Sequence, residues 1–198
     1  MLQEKADEEI ILSYKNGIEE VLKELINRYT PSIYNFVARL ADKSNAADIT
    51  QEIFIKVWKN IKYFDSSRAS FKTWIFTIAK NTTTDFLRKK RLFLFSDIEN
   101  DDNENTNSME ENIPDDNLLP DEALQKLEDK EFLEKILKKL RPSYQEVLVL
   151  HYQEEMTFEE IAKILNKPAN TVKSHHRRAL LELRKIISAS PSQGEDLK

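Results

Sequence analysis

Basic side chains cluster near the carboxyl end of the sequence, in TVKSHHRRALLELRK at residues 171–185. Lys173, Arg177 and Arg178 lie within one stretch of six residues there, with two histidines between them. Lys and Arg pair with phosphate oxygens, and Arg can also form two parallel hydrogen bonds with the edge of a guanine. The chemistry open to this cluster is therefore nucleic-acid recognition.

The residues before and within this cluster predict two helices joined by a tight turn. Thr157 and Glu160 have the spacing of a capping box, Asn166 tolerates the left-handed backbone of a sharp turn, and Pro168 suits the first turn of a second helix. Apolar or small residues recur at helical spacing: Phe158, Ile161, Ala162, Leu165 and Val172. This order is typical of a helix-turn-helix, whose second helix enters the DNA major groove. The alternative on spacing alone is an αα-hairpin with a solvated basic face.

A second group of candidate residues lies in NAADITQEIFIKVWKNI, at residues 45–61. One helical face is mainly polar: Asp48, Gln51, Glu52 and Ile55. A different face is apolar: Ile49, Ile53, Val57 and Ile61. Two such faces predict a helix that packs on its own domain and offers a surface to a protein partner, although its acids could also be merely solvated. Paired carboxylates also serve acid–base catalysis, but no pocket glycine, oriented histidine or metal triplet accompanies them, so we do not expect an enzyme.

Aromatic and basic residues alternate in FKTWIFTIAKNTTTDFLRKKR, at residues 71–91. The aromatic half is expected in a core, and the later residues on a more polar surface. Interleaved rings and cations beside a loop suit single-stranded nucleic acid, whose unstacked bases can enter pockets.

Composition predicts an all-α protein, because the chain has two glycines, six prolines and 33% charged residues. Residues 96–122 contain eleven acids and neither Lys nor Arg, so the net charge of −5 hides 30 cations against 24 acids elsewhere. This stretch has few apolar residues and no helical period, which predicts a flexible linker. We expect two small helical domains, at 1–95 and 123–187, joined by the acidic linker and followed by a disordered tail at 188–198.

Local signals predict some helix boundaries and the compartment. Thr30 and Pro31 read as the cap and first residue of a new helix, 65–70 reads as a loop, and Arg141-Pro142 ends a helix. The absence of cysteine and of any apolar run of about 18–20 residues, and an acidic amino-terminal segment, predict a soluble cytoplasmic protein.

Taken together, DITQEIFIKVWKNI, FKTWIFTIAKNTTTDFLRKKR, the acidic linker and NTVKSHHRRAL resemble the extracytoplasmic-function sigma factors, the two-domain group of bacterial sigma factors. The resemblance covers about residues 8–187. It implies binding to core RNA polymerase, recognition of −10 and −35 promoter elements, and help in opening the DNA. The residues alone leave two alternatives: a free-standing helix-turn-helix regulator that does not dock on polymerase, and an anti-sigma factor or adaptor.

The resemblance also implies site residues and partners. The polymerase-binding residues would be Asp48, Gln51, Glu52, Phe54 and Ile55. The −10 DNA-binding residues would be Lys62, Phe64, Arg68, Asn81, Thr84, Asp85, Arg88 and Lys89. The −35 DNA-binding residues would be Thr171, Lys173, Ser174, His175, Arg177 and Arg178. Expected partners are the β′ clamp helices and β flap of polymerase, promoter DNA and an anti-sigma factor, with no cofactor, metal or small-molecule substrate.

Two residues depart from the family pattern. Asn166 stands where the family usually has Gly, which the turn accommodates. His176 stands where the family usually has an apolar residue that packs the recognition helix. Either His176 is a partly buried histidine with a hydrogen-bond partner, or the recognition helix is rotated slightly.

Overall fold

The computed structural model describes residues 6–94 and 135–189, and within these ranges it contains helices and no strand. The first range, here called the first lobe, forms α1 (Asp7–Lys15), α2 (Leu22–Leu40), α3 (Lys43–Asn60) and α4 (Phe71–Leu94). Short 3₁₀ turns cover Glu19–Val21 and Ile61–Tyr63. The second range, the second lobe, forms α5 (Pro142–Leu148), a π-helical turn (Val149–Gln153), α6 (Phe158–Leu165) and α7 (Ala169–Ala189). The predicted all-α class is confirmed.

The apolar face predicted for α3 is buried, as its helical spacing requires. Ile49, Ile53, Val57 and Ile61 are each at most 2% exposed. They pack with α2 and α4, whose aromatic residues form edge-on pairs such as Phe36 with Phe76. The opposite face of α3 remains at the surface, which is the arrangement that the sequence predicted.

The helix start predicted at Thr30 is wrong, because α2 continues through Pro31. Thr30 Oγ1 donates a hydrogen bond to the Ile26 carbonyl at 2.6 Å, as is common within a helix. An interior proline costs a helix about 3 kcal/mol. Burial stabilises by roughly 1.5–3 kcal/mol per large side chain. Tyr29 and Ile33, on either side of the proline, belong to one buried stripe, so packing outweighs the local signal.

The predicted helix-turn-helix is confirmed in the second lobe. Glu160 N–H donates to Thr157 Oγ1, and Thr157 N–H donates to Glu160 Oε2, which completes the capping box. Asn166 adopts the left-handed conformation, with φ 51° and ψ 47°. Pro168 lies one residue before α7, and its carbonyl accepts from the Val172 N–H.

Other boundaries differ from the sequence prediction. After Pro142, the α-helical α5 gives way to the π-helical turn at Val149. We expected the tail to begin at residue 188. In the structure α7 continues to Ala189, two residues beyond the buried Ile187. The acidic linker at 96–122 and most of the helix expected before Arg141 lie outside the described residues.

The two lobes pack against each other. One buried apolar cluster runs from the first lobe into the helix-turn-helix, where it includes Ile161 and Ile164. At its edge, Lys72 of α4 lies 3.6 Å from the carboxylate of Glu154 and donates to the Glu154 carbonyl. Lys163 of α6 donates to the Arg68 carbonyl at 3.4 Å. Glu154 is only 7% exposed, whereas the Lys72 side chain is 36% exposed, so this ion pair joins the lobes at the edge of the cluster.

Candidate protein-docking and nucleic-acid surfaces

The polar face of α3 forms a continuous exposed stripe. Asp48, Gln51 and Glu52 are exposed, and Ile55 is 46% exposed. Phe54 lies half-buried against the apolar core, so it anchors the helix more than it offers a ring to a partner. A stripe that combines carboxylates, an amide and an exposed aliphatic side chain has the composition of a protein-docking surface.

Trp58 extends this stripe and was not predicted from the sequence. Its side chain is 58% exposed although tryptophan usually buries most of its surface. Trp58 follows Ile55 by three residues and Gln51 by seven, so the three share one side of α3. That spacing was the available signal. It was overlooked because an aromatic residue on an amphipathic helix is most often part of the core.

The aromatic residue at the surface beside the loop is Tyr63, not Phe64. Phe64 is 5% exposed and packs edge-on against Phe71, with ring centroids 5.6 Å apart. The ring of Phe64, one of the predicted −10 residues, thus belongs to the core in this structure, and the neighbouring Tyr63 offers a ring at the surface. Tyr63 is 72% exposed, and the ammonium of Lys62 lies 4.9 Å from its ring centroid.

The loop between Ile61–Tyr63 and α4 has a defined shape. The Asp65 carboxylate accepts hydrogen bonds from Ser67 Oγ at 2.7 Å and from Ser67 N–H at 3.0 Å. These two bonds lower the pKa of Asp65. Arg68 is fully at the surface and its Nε lies 3.5 Å from Asp65, which directs a cation outward from a structured turn.

The outer face of α4 carries the remaining predicted −10 residues. Asn81, Thr84, Arg88 and Lys89 are exposed. Asp85 is half-buried, and its carboxylate lies 3.1 Å from Arg88 Nη2. This exposed pair restrains the Arg88 guanidinium but leaves it accessible to a ligand.

The predicted −35 residues are exposed to different degrees on α7. Lys173, Ser174 and Arg178 are exposed, whereas Thr171, His175 and Arg177 are half-buried. The His175 ring packs edge-on against Tyr144 of α5, with centroids 5.5 Å apart. Lys173 lies 3.6 Å from Glu159 of α6. The outward cations of α7 are thus the ones best placed to meet DNA.

Asn170 belongs to this surface and was missed in the sequence. It is exposed in the first turn of α7, where recognition helices present side chains to base edges. An Asn amide can form two hydrogen bonds with adenine. The available signals were its residue type and its position two residues after Pro168, at the second residue of α7.

His176 resolves the question raised by its departure from the family pattern. The ring is half-buried, and its Nε2 lies 3.0 Å from the Tyr152 hydroxyl. Phe158 and His151 also pack against it, with ring centroids 5.2 and 5.0 Å away. The structure therefore favours the first alternative, a partly buried histidine with a hydrogen-bond partner.

Comparison with known proteins assigns both lobes to one family. Residues 25–93 match the family described as Sigma-70 region 2, and residues 130–183 match Sigma-70, region 4. The Bacillus subtilis ECF RNA polymerase sigma factor SigW is 36% identical over 178 residues, which cover 89% of this chain and 94% of that protein. The chain belongs to the extracytoplasmic-function sigma factors.

Other relatives agree with this assignment. The ECF RNA polymerase sigma factor RpoE of Cereibacter sphaeroides is 29% identical, covering 86% of this chain and 88% of that protein. The structure of CnrH in complex with the cytosolic domain of CnrY has a TM-score of 0.65 at 20% identity, covering 94% of this chain and 99% of that one. Bartonella quintana RpoE, solved with the anti-sigma factor NepR, has a TM-score of 0.64 at 20% identity, covering 85% and 98%. These two structures share the fold.

As an ECF sigma factor, the chain is an alternative sigma factor that directs core RNA polymerase to promoter DNA. The region 2 match separates it from a free-standing helix-turn-helix regulator, because the first lobe then has a sigma-factor role of its own. Sigma factors are not enzymes. Across the two described ranges, no helix is long and apolar enough to span a bilayer, and no three His, Asp or Glu side chains converge as metal ligands.

Proposed function

We propose that this ECF sigma factor docks on the β′ clamp helices through the exposed stripe of α3. The stripe consists of Asp48, Gln51, Glu52, Ile55 and Trp58. The observation that carries the assignment is the division of α3 into a buried apolar face and an exposed polar face. A helix held rigidly on its own core can present such a stripe without ordering cost on binding. Phe54 packs against the core and so holds the helix that carries the stripe.

The −10 element is read as single-stranded DNA by the first lobe. The candidate contacts are Lys62, Tyr63, Arg68, Asn81, Thr84, Asp85, Arg88 and Lys89. Stacking a base on an aromatic ring is worth about 1–3 kcal/mol, which offsets the few kcal/mol that unstacking a base costs. The exposed Tyr63 ring supports a stacking role, and the surrounding cations support phosphate contacts.

The −35 element is read as duplex DNA by the second lobe, with α7 in the major groove. The contacts are Asn170, Thr171, Lys173, Ser174, His175, Arg177 and Arg178. In this scheme residues 1–95 form the polymerase-docking and −10 domain, 123–187 form the −35 domain beside the β flap, and 96–122 link them. The outward position of Arg178 favours it as a base-reading residue over the half-buried Arg177.

The packed lobes have to separate when the promoter is bound. The −10 and −35 elements lie about 25 base pairs apart, or roughly 85 Å along B-DNA. Lobes that share one apolar cluster cannot occupy both elements at once. The 27 residues of 96–122 reach at most about 90–97 Å when extended. We therefore assign the packed arrangement to the free chain and an open arrangement to the holoenzyme.

An anti-sigma factor is the regulator that the family resemblance suggests. NepR is an anti-sigma factor for the Bartonella RpoE, and CnrH was solved with the cytosolic domain of CnrY. By analogy, this chain would be held by a protein of that kind until a signal releases it. It would act in the cytoplasm with core polymerase, without a cofactor or a catalytic step of its own.

Binding to core polymerase tests the docking assignment. Replacing Gln51 and Glu52 with Ala should weaken core affinity, because both side chains leave the stripe while the buried face of α3 is unchanged. The melting temperature should stay nearly constant. The matched control replaces Glu19 and Glu20, exposed acids before α2, and should bind as the wild type does. Equal core affinity for all three proteins would contradict the assignment.

A further inference from the structure

Four rings from three consecutive elements meet beneath α7. His151 and Tyr152 belong to the π-helical turn, Phe158 begins α6, and His176 lies in α7. His151 stacks on Phe158 with ring centroids 4.6 Å apart and an interplanar angle of 17°. The cluster therefore joins the recognition helix to both elements that precede it.

His151 is fixed within this cluster by its own hydrogen bond. Its Nδ1 lies 2.9 Å from the Met156 carbonyl oxygen. A carbonyl only accepts, so Nδ1 of His151 carries the proton. The hydrogen bond to the backbone and the stacking on Phe158 together restrain the His151 ring. The His176 ring packs edge-on against it, with ring centroids 5.0 Å apart.

One polar contact distinguishes this cluster from ordinary apolar packing. His176 Nε2 lies 3.0 Å from the Tyr152 hydroxyl, and Tyr152 is otherwise 58% exposed. An apolar residue at position 176 would fill the space but would not fix a direction, whereas a hydrogen bond constrains both distance and angle. The contact therefore restrains the rotation of α7 about its axis.

Rotation of α7 matters because its side chains have to meet base edges within hydrogen-bond distance. With side chains about 5–6 Å from the helix axis, a 10° rotation moves their ends by about 1 Å. The range of a good hydrogen bond is narrower than that displacement. A change at His176 would thus shift Lys173 and Arg178 together, because all three lie on α7.

We propose that His176 is a positioning residue, which sets through its hydrogen bond with Tyr152 the rotation of α7 and thereby the −35 base pairs that this sigma factor prefers. The inference rests on the proposed −35 role of α7. It assigns His176 no contact with DNA. The Tyr152 hydroxyl is the hydrogen-bond partner that this positioning role requires.

The same contact makes −35 recognition sensitive to pH. Burial, and then the neighbouring His151, lower the pKa of His176. The titratable groups packed against the ring are His151 and Tyr152 from the π-helical turn, while α6 contributes the uncharged Phe158. His176 is therefore neutral at pH 7, and protonation places a cation against His151. Discrimination should fall as the pH drops below the ordinary imidazole value of about 6.5 toward the lowered one.

The test uses holoenzyme assembled from core polymerase and the full chain, on a promoter identified by start-site mapping. The quantity measured is the ratio of affinities for that promoter and for versions with single −35 base-pair changes. Tyr152→Phe and His176→Leu should each reduce the ratio by about 2- to 12-fold, the range of one intramolecular hydrogen bond. The double variant should lose no more than one single variant, since both remove the same contact.

His176→Gln is the rescue variant. Its amide can reach Tyr152 in place of Nε2, so discrimination should return. The pH dependence between 7.5 and 5.5 should become smaller than in the wild type, because the amide does not titrate while His151 and His175 are unchanged. Unchanged −35 preference and pH profile in all variants, with only the melting temperature altered, would overturn the proposal and leave His176 a space-filling residue. Wild-type holoenzyme that binds every −35 variant equally would instead contradict the −35 role of α7 itself.

Discussion

Single residues decide which parts of the first lobe can touch DNA. Phe64 and Tyr63 are neighbours in the sequence, yet one ring lies in the core and the other at the surface. Phe64 follows the buried Ile61 by three residues and continues the inward face beyond the 3₁₀ turn Ile61–Tyr63, whereas Tyr63 lies on the outward side. Tyr63 is thus the residue whose ring an unstacked base can reach.

Tyr63→Ala should impair promoter opening, because it removes the stacking surface. The expected loss is about 1–3 kcal/mol in the stability of the open complex. Tyr63→Phe retains the ring and serves as the control, with opening close to the wild-type level. Fluorescence of a base analogue at the −10 element reports opening directly. If Tyr63→Ala opened the promoter as well as the wild type does, the Tyr63 ring would have no role in the −10 contact.

Regular helices were predictable at the level of faces, while loop residues were not. The two faces of α3 follow from a period of 3.6 residues, and their burial matches the prediction at Ile49 and Ile53. Phe64 was assigned to the −10 DNA from the family resemblance although it follows the buried Ile61 by three residues. The hydrogen bond of His176 depends on a residue 24 positions away, so only the folded chain shows it.

At the scale of elements, tertiary packing overrides some local signals and obeys others. Pro31 would end a solvated helix, but α2 continues because its buried stripe extends across the proline. The turn between α6 and α7 has no such freedom. Its left-handed position favours Gly or Asn, and the sequence supplies Asn166.

Asn166→Val should destabilise the second lobe by roughly 1–2 kcal/mol, because a β-branched residue is poorly tolerated in the left-handed conformation. Asn166→Gly should leave the stability equal or slightly higher, since Gly enters this conformation without steric cost. Urea unfolding followed by circular dichroism measures both. Equal midpoints for the Val and Gly variants would show that the turn adapts to its residue.

At the scale of the whole molecule, charge and packing both oppose DNA binding by the free chain. Eleven acids at 96–122 offset the basic excess elsewhere and can compete with phosphate for cationic surfaces. The ion pair between Lys72 and Glu154 joins the lobes beside their shared apolar cluster. In the proposed scheme, binding to core polymerase supplies the energy that separates them.

Lobe separation can be followed by energy transfer, because the chain contains no cysteine and two can be introduced for labelling. Lys23→Cys in α2 and Ser188→Cys in α7 place dyes at exposed positions on different lobes. Transfer should fall when core polymerase is added, since the lobes move apart. Unlabelled chain, added in excess, should reverse the change by competition. Constant transfer on binding would contradict the closed free state.

Transcription in vitro from genomic DNA, with core polymerase and mapped start sites, tests the account most directly. Addition of the chain should produce a new set of starts that share two sequence elements, centred near −10 and −35, and the Gln51, Glu52 double variant should produce few of them. The free chain alone should bind the same promoters weakly at physiological salt. No chain-dependent starts, together with tight and specific binding by the free chain, would contradict the account.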